Sequence, residues 1–309
     1  MVESKPVALV VGASRGIGRQ IAIDLARNGY AVVVAAKTTS DASKTTPFPP
    51  DPNSQQSTVS TVAREIREAS GDATPVAVDV RHQESVERLI QQTIETYARL
   101  DVLVYNSGAI WWASVEDTPP KRFQLMQRVN PEGLYLTLHA ALPHLRRHGR
   151  GRVVVVSPPI YSRFFRGKTA YAMGKVGMSV LTKGLAMDFS RQGLDDMAIT
   201  SLWPAVAIES AATQKFQAAD PHESRDLRRP AIFSDAVLAI LRAPAAAVNG
   251  ELLLDEDFLR DHAGVVDFSK YALVPGAQPR RIMPAALPDL TVAEQDDEGK
   301  RYDSAKAKL

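Results

Sequence analysis

The sequence predicts an α/β protein: a Rossmann-type, doubly wound parallel sheet in three α/β/α layers, built as a single domain with an extended C-terminal segment. Three observations lead there. Short apolar runs alternate with helical stretches through most of the chain. The runs are near-continuous Val, Ile, Leu and Ala, the pattern of strands buried on both faces. The first run leads into Gly12-Ala-Ser-Arg-Gly16-Ile-Gly18, a glycine turn that opens a helix.

The elements follow in order. Val7–Val11 is a buried run, and residues 17–28 have helical periodicity closed by Gly29. Ala31–Ala36 is the second run. Residues 38–57, rich in Ser, Thr, Pro and Asp, form a long loop. Residues 59–70 are helical and stop before Gly71, residues 75–80 are the third run and residues 84–97 the third helix. Val102–Tyr105 and residues 153–156 are further runs, separated by a long helix through Asn130, and residues 199–203 and 251–254 complete the set. Residues 211–230 are polar and follow a strand, where a mobile lid would sit. The expected division is a dinucleotide-fold domain over 1–254, a proline-rich extension packed on it over 255–294, and a charged, disordered tail over 295–309.

Composition excludes several classes. There is no cysteine, so disulfides, thiol nucleophiles and thiolate metal sites are ruled out, and the six histidines show no metal-ligand spacing. The net charge of +2 comes from basic residues spread along the chain, which argues against a nucleic-acid surface. No apolar run approaches membrane-spanning length, so membrane insertion is not expected. The N-terminus has neither a secretory apolar region nor an Arg-rich leader. The last three residues, Ala307-Lys308-Leu309, are similar to a Ser-Lys-Leu peroxisomal address. They predict a peroxisomal protein in a eukaryote; otherwise the expectation is the cytoplasm.

Two motifs carry chemistry. Tyr171-Ala-Met-Gly-Lys175 places a phenol and an ammonium on one helical face. A cation beside a tyrosine favours the phenolate and makes it a usable acid/base. The spacing is common by chance, and its weight comes from the glycine turn upstream. That turn (Gly12, Ser14, Arg15, Gly16, Ile17, Gly18) suits a nucleotide, because glycine lets backbone approach a pyrophosphate and the helix N-terminus offers free N–H groups. At the end of the second run stands Ala35-Ala36-Lys37-Thr38, without the carboxylate that would bind the ribose hydroxyls of NAD. Lys37 and Arg15 suit a 2′-phosphate, so NADP(H) is preferred, with NAD(H) as the alternative.

With these motifs in this order, the chain over residues 6–254 resembles the short-chain dehydrogenase/reductase family. The resemblance implies hydride transfer between a nicotinamide and a carbonyl or secondary alcohol. Tyr171 would exchange the proton, Lys175 would hold the ribose, and Asn130 would anchor a water relay. It also implies that Asp79 and Asn106 border the cofactor and that Pro204, Ile208 and Ser210 line it. Pro131 after Asn130 predicts a local kink. The family's substrate-binding serine would fall at Pro158, which has no donor. Either Ser157 swings in, or Tyr161 or Ser162 replaces it, or the site has one donor fewer, a loss on the order of 10²–10³ in rate. That gap keeps a nucleotide-binding sensor or scaffold with little catalysis as the alternative function.

Within the family, Asp117-Thr-Pro, Ser157-Pro158-Pro159, Leu202-Trp203-Pro204 and Tyr271-Ala-Leu-Val-Pro-Gly276 resemble the branch containing hydroxysteroid dehydrogenase-like protein 2, without the lipid-carrier domain that some members add. The resemblance implies a homodimer or homotetramer. Trp111 and Trp112, with Phe164, Phe165, Trp203 and Phe216, suggest an apolar small-molecule substrate, or else packing.

Overall fold

The computed structural model describes residues 5–290. Seven strands form one parallel sheet in the order β3-β2-β1-β4-β5-β6-β7. They are β1 (Val7–Val11), β2 (Ala31–Ala36), β3 (Asp72–Ala77), β4 (Val102–Tyr105), β5 (Arg152–Val156), β6 (Ala198–Trp203) and β7 (Leu252–Leu254). β1 and β2 are buried at every position because helices cover both faces. On one face pack α1 (Gly16–Arg27), α2 (Val59–Glu68), α8 (Ala231–Arg242) and α10 (Asp255–Ala263). On the other pack α3 (Gln83–Tyr97), α5 (Gly133–Leu145) and α6 (Thr169–Arg191). The remaining helices are α4 (Pro120–Gln127), α7 (Gln214–Ala219) and α9 (Ala245–Val248).

Local chemistry sets the boundaries. α2 begins where Thr58 and Thr61 form a reciprocal capping box, the side chain of each accepting the other's backbone N–H. Gly29, at φ +90°, closes the turn after α1. The third strand lies earlier than residues 75–80. β3 pairs from Asp72↔Ala31 to Ala77↔Ala36, and β2 ends there. Val78 and Val80 are buried, but beyond Val78 there is no strand to pair with. Burial and pairing part company at that point, and hydrophobicity alone reports only burial.

The helix through Asn130 is not continuous. α4 gives way to a π-helical turn over Arg128–Glu132 before α5. Pro131 has no N–H to give the helical ladder, so the backbone widens around it. The hydroxyl of buried Tyr105 donates to the Val129 carbonyl at 2.6 Å.

Residues 38–57 form the expected long loop, which contains one short 3₁₀ turn, Ala42–Lys44. Its far end folds back on the glycine turn, where the Ser57 hydroxyl donates to the Ser14 carbonyl at 2.7 Å. The chain after β7 first forms α10 on α8 and then runs back toward the end of β6. The tail over 295–309, with Ala307-Lys308-Leu309, lies outside the described residues.

Candidate active site

The strand order reverses direction between β1 and β4, and in open α/β sheets ligands bind beyond the strand ends at such a switch point. The glycine turn leaves β1 there. Gly12 has φ +89°, and a Cβ on it would lie 2.6 Å from the Ser107 nitrogen. The Asn106 side-chain amide donates to the Gly12 carbonyl at 2.9 Å and so ties the end of β4 to the turn. α1 then starts without a side-chain cap and without an acidic residue in its first turn. Such a helix end suits an anion.

Gly16, at φ +53°, touches two distant segments. A Cβ on it would lie 3.4 Å from Asn53 Oδ1 and 3.5 Å from Ser210 Cβ, and its N–H donates to the Pro52 carbonyl at 3.2 Å. Asn53 is buried, and its Oδ1 has no partner among the described residues. An orphaned acceptor beside an uncapped helix start fits a dinucleotide, whose ribose hydroxyls donate and whose phosphates accept.

At the far end of the same edge, Asp79 is held by Arg81 through two contacts of 2.8 and 2.5 Å, and Lys37 Nζ lies 3.4 Å from Asp79. The Arg81 hydrogen bonds hold the Asp79 carboxyl well below the usual carboxylate range. Asp79 is therefore a charged anchor for two cations as well as a candidate adenine contact.

Tyr171 and Lys175 lie one turn apart on α6, both buried. The Lys175 ammonium donates to the Val156 carbonyl at the end of β5, 2.8 Å away. Asn130 is clamped in the π turn: its Oδ1 accepts from the Ala109 N–H at 2.8 Å and its Nδ2 donates to the Ala109 carbonyl at 3.1 Å. Gly108 lets these groups meet, since a Cβ there would sit 3.3 Å from Lys175 Nζ and 3.6 Å from Asn130 Oδ1. The structure thus brings Tyr171, Lys175 and Asn130 to one site.

The electrostatics differ from the expected lowering of the tyrosine. Burial pushes the Tyr171 phenol above its ordinary 10 and pulls Lys175 from 10.5 down to about 7. Desolvation outweighs the pairing expected from the spacing, because both groups are dry.

The short chain dehydrogenase family profile matches residues 6–47 and 53–219. Hydroxysteroid dehydrogenase-like protein 2 of Mus musculus is 33% identical over 290 residues, covering 93% of this chain and 54% of that protein. Its counterpart in Danio rerio is 35% identical over 269 residues, covering 86% of this chain and 60% of that protein. A crystal structure from Xanthomonas campestris, assigned as a dehydrogenase, has a TM-score of 0.78 at 34% identity and covers 95% of this chain and all of that one. The chain belongs to the short-chain dehydrogenase family. It spans little more than half the length of the curated relatives it matches.

As a short-chain dehydrogenase the chain departs from expectation at Ser157. The Ser157 hydroxyl is wholly buried, 2.7 Å from the Ser201 hydroxyl on β6, and Ser201 donates to the Ser157 carbonyl at 2.5 Å. A hydroxyl carries one proton. With Ser201 donating to the carbonyl, Ser157 donates to Ser201 and has no proton left to donate to a substrate oxygen. Tyr161 is also engaged, its hydroxyl donating to the Met283 sulfur at 3.2 Å.

The segment after β6 takes its shape from the C-terminal extension. The Ala205 N–H donates to Asp255 Oδ1 at 2.8 Å, and its carbonyl accepts from the Ile282 N–H at 2.9 Å. Burial raises the Asp255 carboxyl from 3.8 to about 7. Ile208 pairs with Arg228, which forms a buried ion pair with Glu256. Pro204, Ile208 and Ser210 thus run from β6 to the glycine turn.

Above Tyr171 the walls are aromatic. Trp112 meets it edge-on at 6.1 Å and stacks on Phe216 at 6.1 Å, while Phe164 lies 6.2 Å from Tyr171 and 5.7 Å from Trp203. Sequence reading missed Asn53, Arg81, Lys168 and Met283. Arg81 and Lys168 had a signal, two residues after Asp79 and one turn before Tyr171. Asn53 and Met283 had none, because tertiary folding alone brings their loops to the site. Among the described residues no cluster could hold a metal ion and no helix is long and apolar enough to cross a membrane.

Proposed function

We propose that this chain is an NADP(H)-dependent oxidoreductase that interconverts a carbonyl and a secondary alcohol on an apolar substrate. The convergence of Tyr171, Lys175 and Asn130 below an aromatic wall, beside the glycine turn, carries the reading. The nicotinamide, when bound, supplies or accepts the hydride. Tyr171 gives its proton to the nascent alkoxide, or takes it back in oxidation. Lys175 fixes the edge of the site through Val156 and lies beside Gly108 and Asn130, where the water relay implied by the family resemblance would carry a proton away from the tyrosine. Asn130 holds the Ala109 backbone and thereby the loop that carries Trp111 and Trp112. Gly12, Ser14, Gly16, Ile17 and Gly18 would face the pyrophosphate side, and Lys37 and Arg15 the 2′-phosphate.

Tyr171→Phe tests this. Reduction of a carbonyl panel followed at 340 nm should fall by at least about 10³-fold while the NADPH dissociation constant stays within threefold. A fully active variant would overturn the mechanism.

The occupied Ser157 and the donor-less Pro158 favour a second reading, a nucleotide-binding sensor or scaffold with little catalysis. It predicts NADPH binding with no turnover across aliphatic, terpenoid, steroid and acyl-thioester carbonyls.

Exposed Tyr135 on α5 and Met173, Val180 and Met187 on α6 support a homodimer or homotetramer, which sedimentation would test. Ala307-Lys308-Leu309 supports delivery to peroxisomes in a eukaryotic cell and has no such meaning in a bacterium, where the cytoplasm is the location proposed.

A further inference from the structure

Lys168 immediately precedes α6 and stands one turn before Tyr171. Its ammonium lies 4.2 Å from the centroid of the Phe164 ring and 5.9 Å from that of Trp112, the two rings that flank Tyr171. The side chain therefore reaches into the aromatic wall over the reacting tyrosine. It is half-buried, and burial pulls its pKa below 10.5.

An ammonium carries three donors. Ring faces attract the charge but supply no oxygen acceptor, and among the described residues Lys168 Nζ has no hydrogen bond or ion pair. Its sequence surroundings offer no counter-charge: no Asp or Glu lies between Glu132 and Asp188. The turn leading to it adds two exposed cations, Arg163 and Arg166. The ring faces and remaining water offset part of the cost of half-burying this cation, and an anion on it would recover more.

We propose that the substrate is an amphipathic anion: an apolar chain or ring system that carries the reacting carbonyl and also a carboxylate or phosphate, which Lys168 binds. The aromatic rings take the apolar part, and the ammonium orients the molecule against Tyr171. This rests on the oxidoreductase reading and narrows its substrate class.

Calorimetric titration of the full chain, with and without NADP+, tests it independently of turnover. The probes are decanoate, decyl phosphate and decanol, which share a chain and differ in the headgroup. At least one anion should bind about tenfold or more tighter than decanol, about 1.4 kcal/mol. Whichever of decanoate and decyl phosphate binds tighter tells carboxylate from phosphate. Lys168→Met should abolish the preference with decanol affinity unchanged, and Lys168→Arg should keep it. Equal affinities for all three probes, no measurable binding of either anion, or a preference that survives Lys168→Met would overturn the inference. Turnover without anion preference removes this inference alone; anion preference without turnover removes the oxidoreductase reading alone.

Discussion

The hydroxyls of Ser157 and Ser201 face each other at 2.7 Å across β5 and β6, both wholly buried. At the strand end where a substrate-binding serine is expected, the chain instead spends that hydroxyl on holding two strands together. The proline pair Pro158-Pro159 that follows removes two backbone donors and redirects the loop.

Ser157→Ala should therefore act on stability rather than on chemistry. The loss of one buried hydrogen bond costs about 1 kcal/mol in unfolding free energy. Turnover should stay within threefold of the parent. A drop of a hundredfold or more in kcat, with the melting temperature unchanged, would restore Ser157 to the reaction.

Lys37 lies 71% exposed, 3.4 Å from Asp79, at an end of β2 whose own residues, Ala35-Ala36-Lys37-Thr38, carry no carboxylate. Lys37→Asp should raise the dissociation constant for NADPH by about tenfold or more and bring NADH to parity or better, because a 2′-phosphate needs a cation and ribose hydroxyls an acceptor. Fluorescence titration with both cofactors checks it, and an unchanged NADPH/NADH ratio would count against the 2′-phosphate assignment.

Arg281 ties the extension to the site. It pairs with Asp257 through contacts of 2.7 and 2.6 Å and donates to the Met283 carbonyl at 2.9 Å, next to the Ile282 and Met283 N–H groups that bind the Ala205 carbonyl. Arg281→Ala should loosen that strap, so that proteolysis near residue 280 accelerates. The substrate KM should rise several-fold, while kcat changes less.

Two buried groups predict the pH dependence of stability without cofactor. Asp255 has its pKa raised from 3.8 to about 7, so the unfolded chain gives up that proton first and stability falls as pH rises from about 4 to about 7. Lys175 has its pKa lowered from 10.5 to about 7, so the unfolded chain holds that proton longer and stability rises from about pH 7 toward 10.5. Asp255→Asn should flatten the acid limb of a melting-temperature profile and Lys175→Met the alkaline limb. Because Lys175→Met also removes a group of the proton path, it should be more stable than the parent at pH 7 and inactive. An alkaline limb unchanged in Lys175→Met would show that the lysine is solvated in solution.

The sequence by itself determined the alternation of buried strands with helices, the glycine turn and the Tyr171–Lys175 pair, though not the bounds of β3 or the strand order. Each is written in a local period: apolar runs for strands on both faces of which helices pack, glycines for close backbone approach, four residues for one helical face. Pro131 likewise announced the break at Asn130, since a missing N–H is a property of one residue. Tertiary structure alone decided the rest. Ser157 reads as a donor in the sequence, but β6 sets Ser201 against it, and the tyrosine–lysine pairing that the spacing suggests is outweighed by the burial of both groups. Asn53 and Met283 reach the site from loops whose residues carry no periodic signal. What such residues do depends on which distant backbone they meet, and that is set by the packing of the whole molecule.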